Sequence, residues 1–258
     1  MNEILIAIPT KNRSDILPLP LYSLSQQAIH FDLVIYDSSD APVTDNYIVR
    51  QMIDLLQLHK GVDVKHIRSM KDRSLALARV FLLRYARERH YRYLLMLDDD
   101  VMLTPGFVKT LYDHIRSHSK VIYVAGVAID VNNALAHSDY SLDTKNSFAG
   151  LSEWGIPHYY YNMEKHKEIK CVTGGFHYMI AMNRISPDKF TKVIYKLRHL
   201  HGMPCEDIML EYWLTDSRLK GHLLTNALCY HFPSTAQPRD WYNVTRKLQT
   251  RISKTGEL

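Results

Sequence analysis

Apolar residues along the first hundred positions fall into short runs separated by segments of helical period. Ile4-Leu-Ile-Ala-Ile8 is apolar throughout and ends at Pro9, the pattern of a strand covered on both faces. A helix is expected from about Ile16 into the stretch from Tyr22 to Ile29. Leu33-Val-Ile-Tyr36 repeats the strand pattern and stops at Asp37-Ser-Ser-Asp40, residue types that favour turns and helix caps. The periodic segment from Val43 to Leu58, closed by Gly61, predicts a second helix, and Val64 to Ile67 a third strand. Ser74 is placed to cap the next helix, in which Leu75, Ala78, Leu82 and Ala86 recur at helical spacing, with Arg73, Arg79, Arg84 and Arg87 on or near it. Tyr93-Leu-Leu-Met-Leu97 is a fourth strand that runs straight into Asp98-Asp99-Asp100.

The second half is less regular. Pro105 to His118 reads as a helix and Val121 to Val131 as a long strand, whereas Asn132 to Lys170 is polar, tyrosine-rich and weakly periodic. Cys171-Val-Thr-Gly-Gly175 leads into an apolar run from Tyr178 to Met182. Cys205-Glu206-Asp207 opens a helix with Leu210, Trp213 and Leu214 on one face, and Leu223 to Tyr230 makes a last strand ending at His231. The tail from Pro233 is basic and aromatic, with Trp241, Tyr242, Arg246, Lys247 and Arg251.

Strands alternating with helices predict an open, mostly parallel α/β sheet, in which ligands bind beyond the carboxyl ends of the strands. Thr10 to Arg13, Asp37 to Asp40 and Asp98 to Asp100 all fall at such ends. At 258 residues, 46% of them hydrophobic, the chain can bury one large core or two closely joined halves without covalent staples. Cys171, Cys205 and Cys229 form no CxxC pair, so reduced thiols are expected rather than a disulfide framework or a cysteine zinc site. Neither a signal-peptide pattern nor a run of membrane-spanning length is present, and a cytoplasmic location is expected, the host cytoplasm if the chain is viral. The net charge of +5 is spread along the sequence and selects no partner by itself.

Three consecutive carboxylates at the end of an apolar strand repel one another unless a cation or several donors hold them. Oxygen ligands of this kind suit Mg²⁺ or Mn²⁺, ions that commonly bridge carboxylates to substrate phosphates. A solvated acidic turn capping the helix at Thr104-Pro105 is the structural alternative.

LMLDDDVMLTPGF, from Leu95 to Phe107 with its flanking apolar strand, resembles the DxD region of glycosyltransferase family 2 and its GT-A relatives. That resemblance implies the GT-A fold, a nucleotide-binding half joined to an acceptor-binding half. It implies Asp100 as metal ligand, Asp98 at the ribose or metal, and Asp99 as a further participant. IAIPTKNR (Ile6 to Arg13) and VIYDSSD (Val34 to Asp40) are similar to the family's first two strand ends, which casts Pro9, Thr10, Arg13 and Asp37 as nucleotide contacts. RSLALAR (Arg73 to Arg79) resembles the segment along the ribose and diphosphate, with Arg73 and Arg79 as its cations. TGGF looks like the acceptor-side glycine pair, Gly174 and Gly175, and CED like the motif whose aspartate deprotonates the acceptor, giving Asp207 as base with Glu206 as second choice. A histidine after the last strand, here His231, is implied as a further metal ligand, and Trp241 in the tail as cover for the bound substrates.

The expected reaction is metal-dependent, inverting transfer of a sugar from a nucleoside-diphosphate sugar, a UDP-sugar first, to an acceptor hydroxyl. The acceptor is a saccharide or a modified base in phage-type DNA. Expected divisions are 1–131 for the nucleotide-sugar half, 132–232 for the acceptor and base half of the same domain, and 233–258 for the tail. LMLDDDV alone also matches haloacid-dehalogenase-type phosphatases, with Asp98 as nucleophile, although that motif normally opens a chain. A basic nucleic-acid-binding domain is the non-enzymatic alternative, against which the acidic triplet argues.

Overall fold

A computed structural model describes residues 2–70, 74–130, 149–151, 157–159, 167–169, 177–199, 210, 213–214 and 218–232. Strands β1 (Ile4–Thr10), β2 (Asp32–Asp37), β3 (Val64–Arg68) and β4 (Tyr93–Met96) pair in parallel in the order β3-β2-β1-β4. Helices α1 (Pro18–Ser25), α2 (Tyr47–Asp54) and α3 (Leu75–Glu88) lie in the connections between them. Two of these helices differ from expectation. α1 stops at Ser25, four residues before Ile29. Val43 to Leu58 is divided into a 3-10 turn, α2 and a π-helical turn, because Asn46 adopts an extended backbone and its Oδ1 accepts from the Ile48 amide at 2.9 Å, starting a new helix. Ser74 does cap α3, its Oγ accepting from the Leu77 amide.

Beyond β4 the chain forms β5 (Val101–Leu103), α4 (Phe107–Ser117), β6 (Val121–Asp130), the small pair β7 (Ala149–Leu151) and β8 (Pro157–Tyr159), β9 (Lys167–Ile169), β10 (Tyr178–Ala181), α5 (Pro187–His199) and β11 (Lys220–His231). The main sheet runs β3-β2-β1-β4-β10-β6-β11-β5, with β9 paired to β11. β6 and β11 are parallel, whereas β10, β5 and β9 run antiparallel to their neighbours. β10 sits between β4 and β6, so strands from both sides of residue 131 share one sheet. β5 and α5 are additions to the expected elements.

The apolar runs are explained by cover on both faces. Leu5, Ala7, Val34, Tyr36, Leu94, Met96, Tyr178 and Ile180 pack on one side with buried residues of α3 and α5 and with Leu210 and Leu214. Ile4, Ile6, Ile8, Leu33, Ile35, Tyr93, Leu95 and Met179 face the other side, toward α1, α2 and α4. Alternate residues serve alternate faces, so none can be polar without entering a core. At Gly126 of β6 a Cβ would stand 2.4 Å from the Phe107 ring and 2.6 Å from the Ala227 carbonyl, so only glycine lets α4 and β11 close on the strand. Among the described residues no helix is long and apolar enough to cross a membrane.

Candidate active site

Register brings the site together. β4 lies beside β1, and the Leu97 amide bonds to the Ala7 carbonyl at 3.0 Å, so the chain leaves β4 into Asp98-Asp99-Asp100 next to the end of β1. β5 then pairs antiparallel with β11, Val101 opposite His231, and the Phe232 amide donates to the Asp100 carbonyl at 2.8 Å. That register carries His231 to Asp100, its Nε2 standing 3.4 Å from Asp100 Oδ1.

The loop after β1 turns through Asn12, whose φ of 56° is a left-handed conformation that asparagine tolerates better than most residues. Its side chain pairs with Asp40, Oδ1 accepting from the Asp40 amide at 2.8 Å and Nδ2 donating to Asp40 Oδ2 at 2.9 Å. The next residue, Arg13, donates from Nη1 to Asp99 Oδ1 at 2.8 Å and to Asp100 Oδ2 at 2.6 Å. Thr10 Oγ1 donates to the other Asp99 oxygen at 2.7 Å. Burial lifts the pKa of Asp99 despite these partners. At Asp100 the same upward push of burial is outweighed by His231 and Arg13, and its pKa falls below the ordinary carboxylate value.

Asp98 is the partly exposed member of the triplet, and Arg79 Nη2 lies 3.8 Å from its Oδ1. Arg79 is only 2% exposed, on the inward face of α3, and its Nη1 donates to the Tyr178 hydroxyl at 2.5 Å. Beside Tyr178, His177 is wholly buried, and burial together with His231 pushes its pKa down to about 3, so it is neutral at working pH. Burial and then Asp98 push the Cys229 thiol upward.

Asp37 is surrounded differently. It is wholly buried, with Oδ1 accepting from the Ser39 amide at 2.9 Å and Oδ2 from the Val43 amide at 3.0 Å and from His66 Nε2 at 3.0 Å. Arg68 Nε is 3.7 Å away, while Arg68 Nη2 donates to the Ser39 carbonyl at 2.7 Å. Burial raises its pKa, the donors outweigh it, and the net shift is downward.

Thr10, Arg13, Arg79, Asp98, Asp99, Asp100 and His231 are thus gathered at one end of the sheet. Pro9 lies in buried β1 and Asp37 one strand further out. Arg73, Gly174, Gly175, Glu206, Asp207 and Trp241 lie outside the described residues. Tyr178, which the apolar run places in a strand, and His177 are additions to the site that the sequence does not mark. They follow TGGF directly, yet a buried tyrosine that holds an arginine has no local signature. Among the described residues no three His, Cys, Asp or Glu side chains already converge as a metal cage. The Asp98 and Asp100 carboxylates are nevertheless oxygen donors of the kind that Mn²⁺ and Mg²⁺ take, with His231 Nε2 3.4 Å from Asp100.

A parallel β3-β2-β1-β4 series extended by antiparallel β10, with acidic residues at the end of β4, defines the GT-A class. Residues 5–188 match glycosyl transferase family 2, and the chain belongs to that family. The phosphatase alternative is set aside by this match. Solved structures share the fold. GalNAc-T7 with UDP, GalNAc and Mn²⁺ superposes with a TM-score of 0.67 at 13% identity, covering 97% of this chain and 48% of that one. Mannosyltransferase PcManGT from Pyrobaculum calidifontis, in complex with GDP-Man and Mn²⁺, gives 0.63 at 11% identity, covering 99% and 65%. S. aureus TarS 1–349 gives 0.55 at 14% identity, covering 96% and 65%. The chain therefore spans 48% to 65% of the length of these matched chains, and 40% of the longer TarS chain. No curated protein matches the sequence.

Proposed function

We propose that this chain is an inverting glycosyltransferase that moves a sugar from a nucleoside-diphosphate sugar, a UDP-sugar first, to an acceptor hydroxyl. The observation that carries the reading is Asp100 in a family 2 domain, its carboxylate buried between Arg13 and His231 at the end of β4. Asp98, Asp100 and His231 are the residues to hold Mn²⁺ or Mg²⁺, which when bound neutralises charge on the departing diphosphate. Arg79, fixed by Tyr178, orients Asp98 and adds positive potential beside it. We read Asp37 as a holder of its loop, since backbone amides of that loop take both of its oxygens, whereas Asp99 shares Arg13 with Asp100 and keeps Thr10 as its second donor.

In the proposed reaction Asp207 takes the acceptor proton, with Glu206 as the alternative base. The acceptor oxygen bonds to the anomeric carbon from the face opposite the bond to phosphate, that bond breaks, and the nucleoside diphosphate leaves with the electron pair. Configuration inverts because attack and departure are on opposite faces.

The test is hydrolysis of a panel of UDP- and GDP-sugars without acceptor, with and without Mn²⁺. Slow, metal-dependent release of nucleoside diphosphate from one donor is expected and should be lost in Asp100→Ala. Release from no donor in the panel contradicts the reading. Saccharides and duplex DNA carrying modified bases are then the two acceptor arms, the DNA arm distinguished by binding that weakens steeply with salt.

A further inference from the structure

The loop after β1 delivers a cation to the carboxylates that the proposed function assigns to the metal. Arg13 Nη1 spans Asp99 Oδ1 at 2.8 Å and Asp100 Oδ2 at 2.6 Å, and His231 Nε2 lies 3.4 Å from the remaining oxygen of Asp100. Both oxygens of the proposed ligand therefore already face protein nitrogen. The partners differ in freedom. The Asp100 side chain is 3% exposed and fixed by the β5 to β11 register, whereas Arg13 is 24% exposed on a long side chain. Its backbone is anchored through Asn12 to Ser39 and Asp40, so any movement falls on the guanidinium.

Among the described residues, the carboxylates of Asp98, Asp99 and Asp100 and the guanidiniums of Arg13 and Arg79 sum to one formal negative charge in a largely buried cluster. A divalent cation added alone turns that cluster positive, with two cations competing for one carboxylate. A diphosphate added with it restores the negative sign and offers Arg13 a second anion of suitable fork geometry. Thr10 Oγ1 meanwhile keeps its 2.7 Å bond to Asp99, so that carboxylate is not stripped of donors when the guanidinium leaves.

We propose that Arg13 and the divalent cation compete for Asp100, and that the donor diphosphate draws Arg13 away, so that metal affinity is coupled to donor binding through this one side chain. This rests on the proposed function. Coupling of this kind is reciprocal, with affinity factors commonly about 5- to 150-fold.

The experiment is titration of Mn²⁺ into the full chain by calorimetry, with paramagnetic resonance of free Mn²⁺ as a second readout, with and without UDP. Arg13→Gln should bind Mn²⁺ without nucleotide roughly tenfold more tightly than the unmodified chain, and the gain in Mn²⁺ affinity on adding UDP should shrink by the same factor. Arg13→Lys, which keeps a charge but loses the fork, should fall between. Unchanged or weaker Mn²⁺ binding in Arg13→Gln, while the unmodified chain still binds Mn²⁺ with UDP, overturns the competition. No Mn²⁺ binding by the unmodified chain even with UDP overturns the proposed function instead, and this inference with it. One arm needs no variant: UDP should raise Mn²⁺ affinity in the unmodified chain and uridine should not, and equal affinity with both overturns the proposal.

Discussion

Two acidic strand ends flank β1 at the same end of this sheet, and they are neutralised by different means. At the end of β2, Asp37 is held by the Ser39 and Val43 amides, parts of its own loop that cannot leave without unfolding it, with His66 and Arg68 closing the far side. At the end of β4, Asp98, Asp99 and Asp100 are balanced largely by the side chains of Arg79, Arg13, Thr10 and His231, borrowed from other elements. A carboxylate satisfied by local amides is a structural knot. Carboxylates satisfied by long cationic side chains can exchange those partners for a ligand. Equal acidity in sequence thus conceals unequal availability.

The contrast breaks most visibly under substitution. Asp37→Ala leaves buried amides, His66 and Arg68 without their shared acceptor, and should cost about 3–5 kcal/mol of unfolding free energy, read from urea denaturation. Asp100→Asn should lower donor turnover by about a hundredfold to a thousandfold, the usual effect of losing one preorganised charge-stabilising group, with a smaller stability loss than Asp37→Ala. A stable Asp37→Ala protein, or an Asp100→Asn protein that turns over normally, would erase the distinction.

Acid titration sharpens it. Asp37 has a lowered native pKa, so its stabilising contribution is complete above the ordinary carboxylate value of about 4 and is lost as pH falls through the lower native value. Asp100 behaves the same way, but Asp99 is raised, and its ionisation costs stability as pH rises from the ordinary value through the native one. Asp37→Asn and Asp100→Asn should therefore each flatten the loss of stability below about pH 4, whereas Asp99→Asn should instead remove a loss that sets in as pH rises above about 4, measured by urea unfolding between about pH 2 and 6.

The smallest expected effect is at Tyr178→Phe, which removes one buried hydrogen bond to Arg79. A loss of about 1 kcal/mol in stability and roughly fivefold in donor turnover is expected, from unfolding and initial-rate measurements. No change in turnover would detach Tyr178 from the site.

The backbone plan was legible because physical constraint was dense: strands buried on both faces are apolar at nearly every position, so β1, β2 and β4 stand where their apolar runs predict, and Val64 to Ile67 marks β3 although this edge strand exposes Lys65 and Arg68. Val101 to Leu103 is too short to carry a period, and the place of β10 between β4 and β6 depends on pairing across about eighty residues of chain. α5 was readable in principle, with Asp188 in its first turn and Lys196, Arg198 and His199 in its last, but its apolar face competes with a strongly polar one. Side-chain partnership was the least legible layer. Nothing local marks Arg79 as buried, because its partner Tyr178 comes from β10, and although Asp37 is closed off largely by its own loop, His66 and Arg68 reach it from β3.

The central claim, that the β4 end is an exchangeable nucleotide and metal site, meets its most direct test in thermal melting of the unmodified chain and Asp100→Ala, each with UDP or GDP, Mn²⁺, or both. At a hundredfold excess over Kd, ligand binding contributes about 2.7 kcal/mol, or roughly 5–10 °C for a chain of this size. The account predicts such a rise for one nucleotide with Mn²⁺, larger than for either alone and absent in Asp100→Ala. No rise with either nucleotide, or an equal rise in the variant, contradicts it.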